Sequence, residues 1–207
     1  KGVQKFLDQV QGRVLPFWVY VTPDGRFIQA TSGFRDTEEF LQDLKTAITS
    51  EAMRVPAAVE KTLAKSAEQA ARDFEAHKLG AVARAARDAE KARGYSESKL
   101  ALRELLAQAV TAGREDLGAA AEQAKGGDLE AALAAARKVA GELKGTAIDP
   151  EAALAVKCLE RLKAAAANVA KNDKAAARRG YAQIVKDAPD SPYAALAEEE
   201  AKELGDE

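Results

Sequence analysis

Alanine constrains this chain more than any other residue. About 48 of the 207 positions are Ala, nearly all after residue 50, whereas Leu, Ile, Val and Phe together supply about 20%. So few large apolar side chains border on disorder, but that outcome also needs high net charge. Here 31 basic residues oppose 33 acidic ones, for a net charge of -2. Ala is the strongest helix former and has no rotamers to freeze. The composition therefore predicts helices packed closely through thin faces, and the length allows one or two domains.

The same inventory excludes several function classes. A near-neutral chain without a dense basic block is not expected to bind nucleic acid. No apolar run approaches the ~20 residues of a membrane-spanning helix. One cysteine excludes an internal disulfide framework, a CxxC dithiol and a Cys-based zinc site, and one histidine limits metal and triad chemistry equally hard. No catalytic residue, metal ligand or cofactor is expected in the chain as given.

Composition changes near residue 50. Phe6, Phe17, Trp18, Tyr20, Phe27, Phe34 and Phe40 lie before it; an Ala-, Glu- and Lys-rich sequence follows. Pro56 disfavours helical backbone at Val55. The expected organisation is residues 1–50 as one piece, 51–57 as linker and 58–207 as an all-helical domain, hence α+β overall. The chain opens at Lys1 with neither an initiator Met nor a signal-peptide pattern, and reads as a processed or truncated polypeptide.

Phe17-Trp18-Val19-Tyr20-Val21 is an aromatic and β-branched run that predicts a strand covered on both faces. Thr22-Pro23-Asp24-Gly25 has turn chemistry, and residues 26–31 predict a second, antiparallel strand ended by Gly33. Asp36-Thr37-Glu38-Glu39 predicts a helix start with a capping box from Asp36 to Glu39. Phe40, Leu41, Leu44 and Ile48 continue at helical spacing, so Trp18 or its neighbours should pack under this helix. A lone hairpin is marginal in water, so a missing N-terminal segment, the second half of the chain or another copy is expected to supply cover.

From Leu15-Pro16 through Pro23-Asp24-Gly25, Gly33 and the capped helix, the segment resembles the C-terminal half of a thioredoxin-fold domain. In that family the matching proline is cis and lies beside the active-site dithiol. The resemblance maps Pro16 onto it and Leu15 onto the preceding residue, which contacts substrate backbone. From the residues alone Pro16 also reads as a strand-edge proline in trans. The family's first strand and CxxC helix have no counterpart here, so the chain as given lacks the thiols for dithiol exchange.

After residue 57 three apolar stripes recur: Val59, Leu63, Ala67, Ala70 and Phe74; Leu102 through Ala124, weakened at Gly113; and Leu154, Cys158, Leu162, Ala166 and Val169. The segments that follow align with one another. His77-Lys78-Leu79 corresponds to Gly127-Asp128-Leu129 and to Asn172-Asp173-Lys174, a period of about 45–50 residues. Restarts are expected at Ser96, at Asp149-Pro150 and at Ser191-Pro192, the last two as an N-cap followed by proline. Six or seven helices in antiparallel hairpins without a strand are predicted. Leu102, Leu105, Leu133, Leu154, Cys158, Leu162, Tyr181 and Ile184 should be largely buried. The last unit, from Asp173 through Tyr181 to Pro189-Asp190-Ser191-Pro192-Tyr193, resembles a tetratricopeptide repeat of the bacterial envelope type.

Among residues that could carry chemistry, Cys158 sits on an apolar stripe and reads as a small buried hydrophobe. His77 reads as a loop residue, while Arg84, Arg87 and Lys91, like Arg178 and Arg179, read as solvated helix faces. Two functions follow. One is a protein-interaction module that takes a protein or peptide partner on its helical repeats. The other, implied by resemblance, is the C-terminal portion of a periplasmic or secreted thiol–disulfide oxidoreductase whose CxxC lies upstream of Lys1.

Overall fold

The computed structural model describes residues 16–21, 27–50 and 53–205. These residues form two strands and eight helices, making the chain α+β with a helical majority. Two compact units result. One holds the described residues up to Ala67 together with Asp88–Ala101; the other holds Glu68–Arg87 and the described residues from Leu102 onward.

In the first unit, β1 (Phe17–Val21) pairs antiparallel with β2 (Phe27–Ser32), Trp18 opposite Thr31 and Tyr20 opposite Gln29. The turn expected at 22–25 lies outside the described residues. Helix α1 (Thr37–Thr49) starts as its sequence dictates: the Asp36 carboxylate accepts from Glu39 N at 2.8 Å, and the Glu39 carboxylate accepts from Asp36 N at 3.3 Å. Two backbone donors that a helix start leaves orphaned are thus satisfied reciprocally. The Phe40 ring lies 5.4 Å from Trp18, Gln29 Nε2 donates to Asp43 O at 3.1 Å, and Arg35 Nε stands 3.2 Å from Asp43 Oδ2. Trp18 therefore packs under the helix.

The cover expected on both faces of β1 is not supplied by the described residues. No β1 residue is buried, and Trp18, Val21 and Phe27 are exposed. Among the described residues a two-stranded sheet meets a single helix, which can overlie only one face.

In the stretch expected as a linker, residues 51 and 52 lie outside the described residues, and Val55 is buried. Tyr95 N donates to Met53 O at 2.7 Å and Val55 N to Tyr95 O at 3.0 Å, a parallel bridge between Arg54 and Tyr95. Gly94, at φ +114°, lies so close that a Cβ there would meet Met53 O at 2.7 Å. Helix α2 (Ala57–Glu75) follows Pro56, and α3 (Leu79–Glu90) and α4 (Glu97–Lys125) follow in turn. Ser96 caps α4 as expected, its hydroxyl accepting from Lys99 N at 3.0 Å. Glu60 of α2 also reaches this helix start, accepting from the Ser98 hydroxyl at 2.8 Å and the Ser98 amide at 3.3 Å. Hydrogen bonds from Ser96 and Ser98 hold its carboxyl below the ordinary glutamate value against the opposing effect of burial.

The second unit continues with α5 (Leu129–Glu142), α6 (Asp149–Ala170), α7 (Lys174–Asp187) and α8 (Pro192–Glu203). Among the described residues no strand follows residue 60, although Tyr95 takes part in the single bridge. The three aligned segments share one turn. His77, Gly127 and Asn172 all have positive φ, at 53°, 89° and 61°. In each, the next amide reaches back five residues: Lys78 N to Asp73 O, Asp128 N to Gln123 O and Asp173 N to Asn168 O, at 2.8–3.0 Å. This left-handed closure satisfies carbonyls that a helix end would leave free. Asp128 and Asp173 then cap the next helix through their carboxylates, a role Lys78 cannot take.

Ala120, Ala121, Ala124, Leu133, Leu159, Leu162, Tyr181 and Ile184 belong to one core, and Leu79, Val82, Ala109, Val139, Leu143 and Ile148 to a second. Leu102, Leu133, Cys158, Leu162, Tyr181 and Ile184 are buried as expected, whereas Leu105 and Leu154 are half-buried. Two local readings are corrected. Gly113 does not weaken its stripe but is buried where the Leu143 side chain lies against it. Asp149 is not an N-cap: helical backbone already begins at buried Ile148, and the Asp149 carboxylate turns back to accept from Gly145 N at 2.8 Å. Ser191 does cap α8, accepting from Ala194 N at 3.2 Å with Pro192 next.

Candidate functional site

Of the two residues that resemblance singles out, Leu15 lies outside the described residues. Pro16 is half-buried, and its carbonyl accepts from Gly33 N at 2.8 Å.

The thiol sits in the second unit, inside α6. Cys158 is fully buried in the same core as Leu159, Leu162 and Tyr193. Burial pushes its thiol above the ordinary value, outweighing the opposing pull of Arg161 and Lys157. Burial likewise pushes the Tyr193 hydroxyl up to about 12. The thiolate form is therefore disfavoured at the one sulfhydryl of the chain.

The charged faces are more organised than solvation alone requires. Arg87 Nη1 donates to Lys144 O at 2.7 Å, just beyond the end of α5, while Lys91 pairs with Asp88 at 2.6 Å. Arg84 and Arg179 are exposed. Asp187, in the last turn of α7, is held by Lys157 at 2.8 Å, Arg161 at 2.5 Å and Gln183 at 2.7 Å. Hydrogen bonds from Lys157, then Arg161 and Gln183, hold its carboxyl far below the ordinary aspartate value. They also neutralise an anion at the unfavourable end of a helix dipole.

The second unit carries a shallow, open groove. Phe74, near the C-terminus of α2, faces Ala107, Gln108, Thr111, Ala112 and Glu115 of α4 across a groove of about 400 Å³. Phe74 is half-buried because one side of its ring meets the core and the other is left to the groove. On α4, Gln108, Thr111 and Glu115 recur at spacings of three and four, which places them on one helix face. The Thr111 hydroxyl donates to Ala107 O at 3.2 Å, so toward the groove it offers lone pairs. Near the groove's Phe74 end, His77 Nε2 lies 2.8 Å from Asp116 Oδ2, which ties the turn after α2 to α4.

The sequence reading placed Phe74 on an apolar stripe and missed the groove. The available signal was that Phe74 is the sole Phe after residue 50, closing a stripe whose two preceding members, Ala67 and Ala70, are small. Among the described residues no group of three or more His, Cys, Asp and Glu side chains is arranged to hold a metal ion. No helix of the described residues is long and apolar enough to cross a membrane. Comparison with known protein families, with curated proteins and with solved structures finds no match.

Proposed function

We propose that the chain is a protein-interaction module in which tetratricopeptide-like helical hairpins present the α2–α4 groove to a peptide or protein partner. The observation that carries this reading is the half-buried Phe74 set opposite the exposed α4 face. The recurrence of one left-handed turn at His77, Gly127 and Asn172 supports a repeat architecture, in which each hairpin buries its stripe against its neighbours. Peptides selected from a random library on the immobilised chain should lose affinity for a Phe74→Ala variant of unchanged helicity. Selected peptides that bind both forms equally would move the interaction elsewhere.

A second reading is favoured by the exposed apolar side chains gathered before residue 50: Trp18, Val21, Phe27, Phe34, Leu41 and Ile48. They suit a β-β-α piece that completes a thioredoxin-like domain in a periplasmic or secreted oxidoreductase, with Leu15 and Pro16 beside a dithiol supplied from upstream. A CxxC encoded some tens of residues before Lys1 would support this reading; an upstream sequence without one would end it.

A further inference from the structure

We propose that the α2–α4 groove selects peptide segments that place a lysine or arginine beside an apolar side chain. This deepens the interaction-module reading and rests on it. The apolar half of the specificity comes from Phe74, Ala107 and Ala112, a surface wide enough for one aliphatic or aromatic side chain. The charged half comes from α4. Glu104, Gln108, Thr111 and Glu115 follow one another at spacings of four, three and four, so they line a single face. Glu104 and Glu115 are exposed, and neither has an ion-pair partner among the described residues.

The nearby cations are turned to other tasks. Arg114 is engaged by Glu151 through two hydrogen bonds of 2.9 and 3.1 Å, and Arg72 by Gln69 at 3.1 Å. The ring of His77 is taken up by Asp116, and Lys78 lies 3.7 Å from Asp73. The polar groups lining the groove are therefore mainly acceptors: the Glu115 carboxylate, the Thr111 oxygen whose proton is committed to Ala107 O, and the Gln108 amide, which can serve either way; Glu104 extends the same helix face one turn beyond Gln108. A ligand rich in donors satisfies such a wall, and an acidic segment is repelled by Glu115.

Three short fluorescein-labelled peptides test this, each with leucines spaced by serine and carrying lysine, glutamate or serine at the remaining positions. Binding is read by fluorescence polarisation and located by amide chemical shifts in the full chain. The lysine peptide should bind most tightly and shift the resonances of Phe74 and residues 107–115. A Glu104→Lys/Glu115→Lys double variant should weaken it by about tenfold and favour the glutamate peptide. Both positions are exposed and lysine is a good helix former, so the fold is preserved. Preference for the serine or glutamate peptide in the same groove would overturn the charge selectivity while leaving the interaction reading intact. So would lysine-peptide binding that the double variant does not change, or shifts spread over other acidic faces such as Glu198–Glu200. Absence of groove shifts with all three peptides would remove both.

Discussion

Leu143 closes over Gly113: a methyl group on Gly113 would stand 2.5 Å from Leu143 Cδ1 and 3.4 Å from Ile148 Cδ1. Alanine there would gain about 1 kcal/mol of helix propensity but incur about 1–3 kcal/mol of overpacking. Gly113→Ala should therefore be neutral to destabilising by up to about 2 kcal/mol. Gly118→Ala, in the same helix with nothing within 4 Å, should stabilise by about 0.5–1 kcal/mol. Urea melts of the two variants check the contrast in sign; equal stabilisation by both would show that Leu143 moves aside freely.

The shared turn gives a second expectation. Gly127 has open space around it, so Gly127→Ala tests the left-handed backbone alone. A loss of about 1–2 kcal/mol is expected. Asn172→Gly, at the equivalent position, should be neutral or mildly stabilising. Chemical denaturation of the pair would contradict this account if Gly127→Ala were silent.

Acid should loosen the α6–α7 pairing. The folded Asp187 carboxyl titrates below its unfolded value, so its contribution is fully present above about pH 4. That contribution fades as pH falls through the lower folded value. Stability measured from pH 6 to pH 2.5 should differ most between the native chain and Asp187→Asn at the upper end, with the gap closing toward the lower. A gap that widens in acid would reverse the sign.

Cys158 should be silent toward Ellman's reagent in the folded chain and react fully in denaturant, since the side chain is wholly buried. Cys158→Ser should cost more stability than Cys158→Ala if the hydroxyl finds no partner, by about 1–3 kcal/mol. Neither variant should change insulin reduction, for which the 207-residue chain, with one cysteine, should show no turnover above background. Turnover lost in both variants would make Cys158 a working thiol.

Trp18 offers a local probe, being the single tryptophan and packed on Phe40 of α1. Removing the cap with Asp36→Ala should destabilise α1 by about 1 kcal/mol. The Trp18 fluorescence transition should shift while far-UV circular dichroism, dominated by the helices after residue 57, moves less. Equal shifts in both signals would mean that α1 melts together with those helices.

What the sequence revealed, it revealed through short-range patterns. The Asp36–Glu39 box needs only residues three apart, and the three turns showed as aligned segments, His77-Lys78-Leu79 with Gly127-Asp128-Leu129 and Asn172-Asp173-Lys174. The long-range partners were hidden. Nothing near Gly113 announces Leu143, and Asp149 looks like a cap until the backbone of Ile148 is seen to be helical already. The groove was illegible for the same reason: Phe74 and Thr111 belong to different helices, and Ala-rich helices carry few large side chains from which to infer which faces meet.

The bridge between Met53–Val55 and Gly94–Tyr95 fastens a loop containing α2 and α3 with main-chain atoms alone. Every residue type but proline carries the groups it uses, so Arg54 and Tyr95 are free to drift in evolution while the clasp persists. Gly94 is not, because the opposing carbonyl occupies the place of any side chain. In distant versions of this chain the clasp should thus be betrayed by one immobile glycine amid changing neighbours.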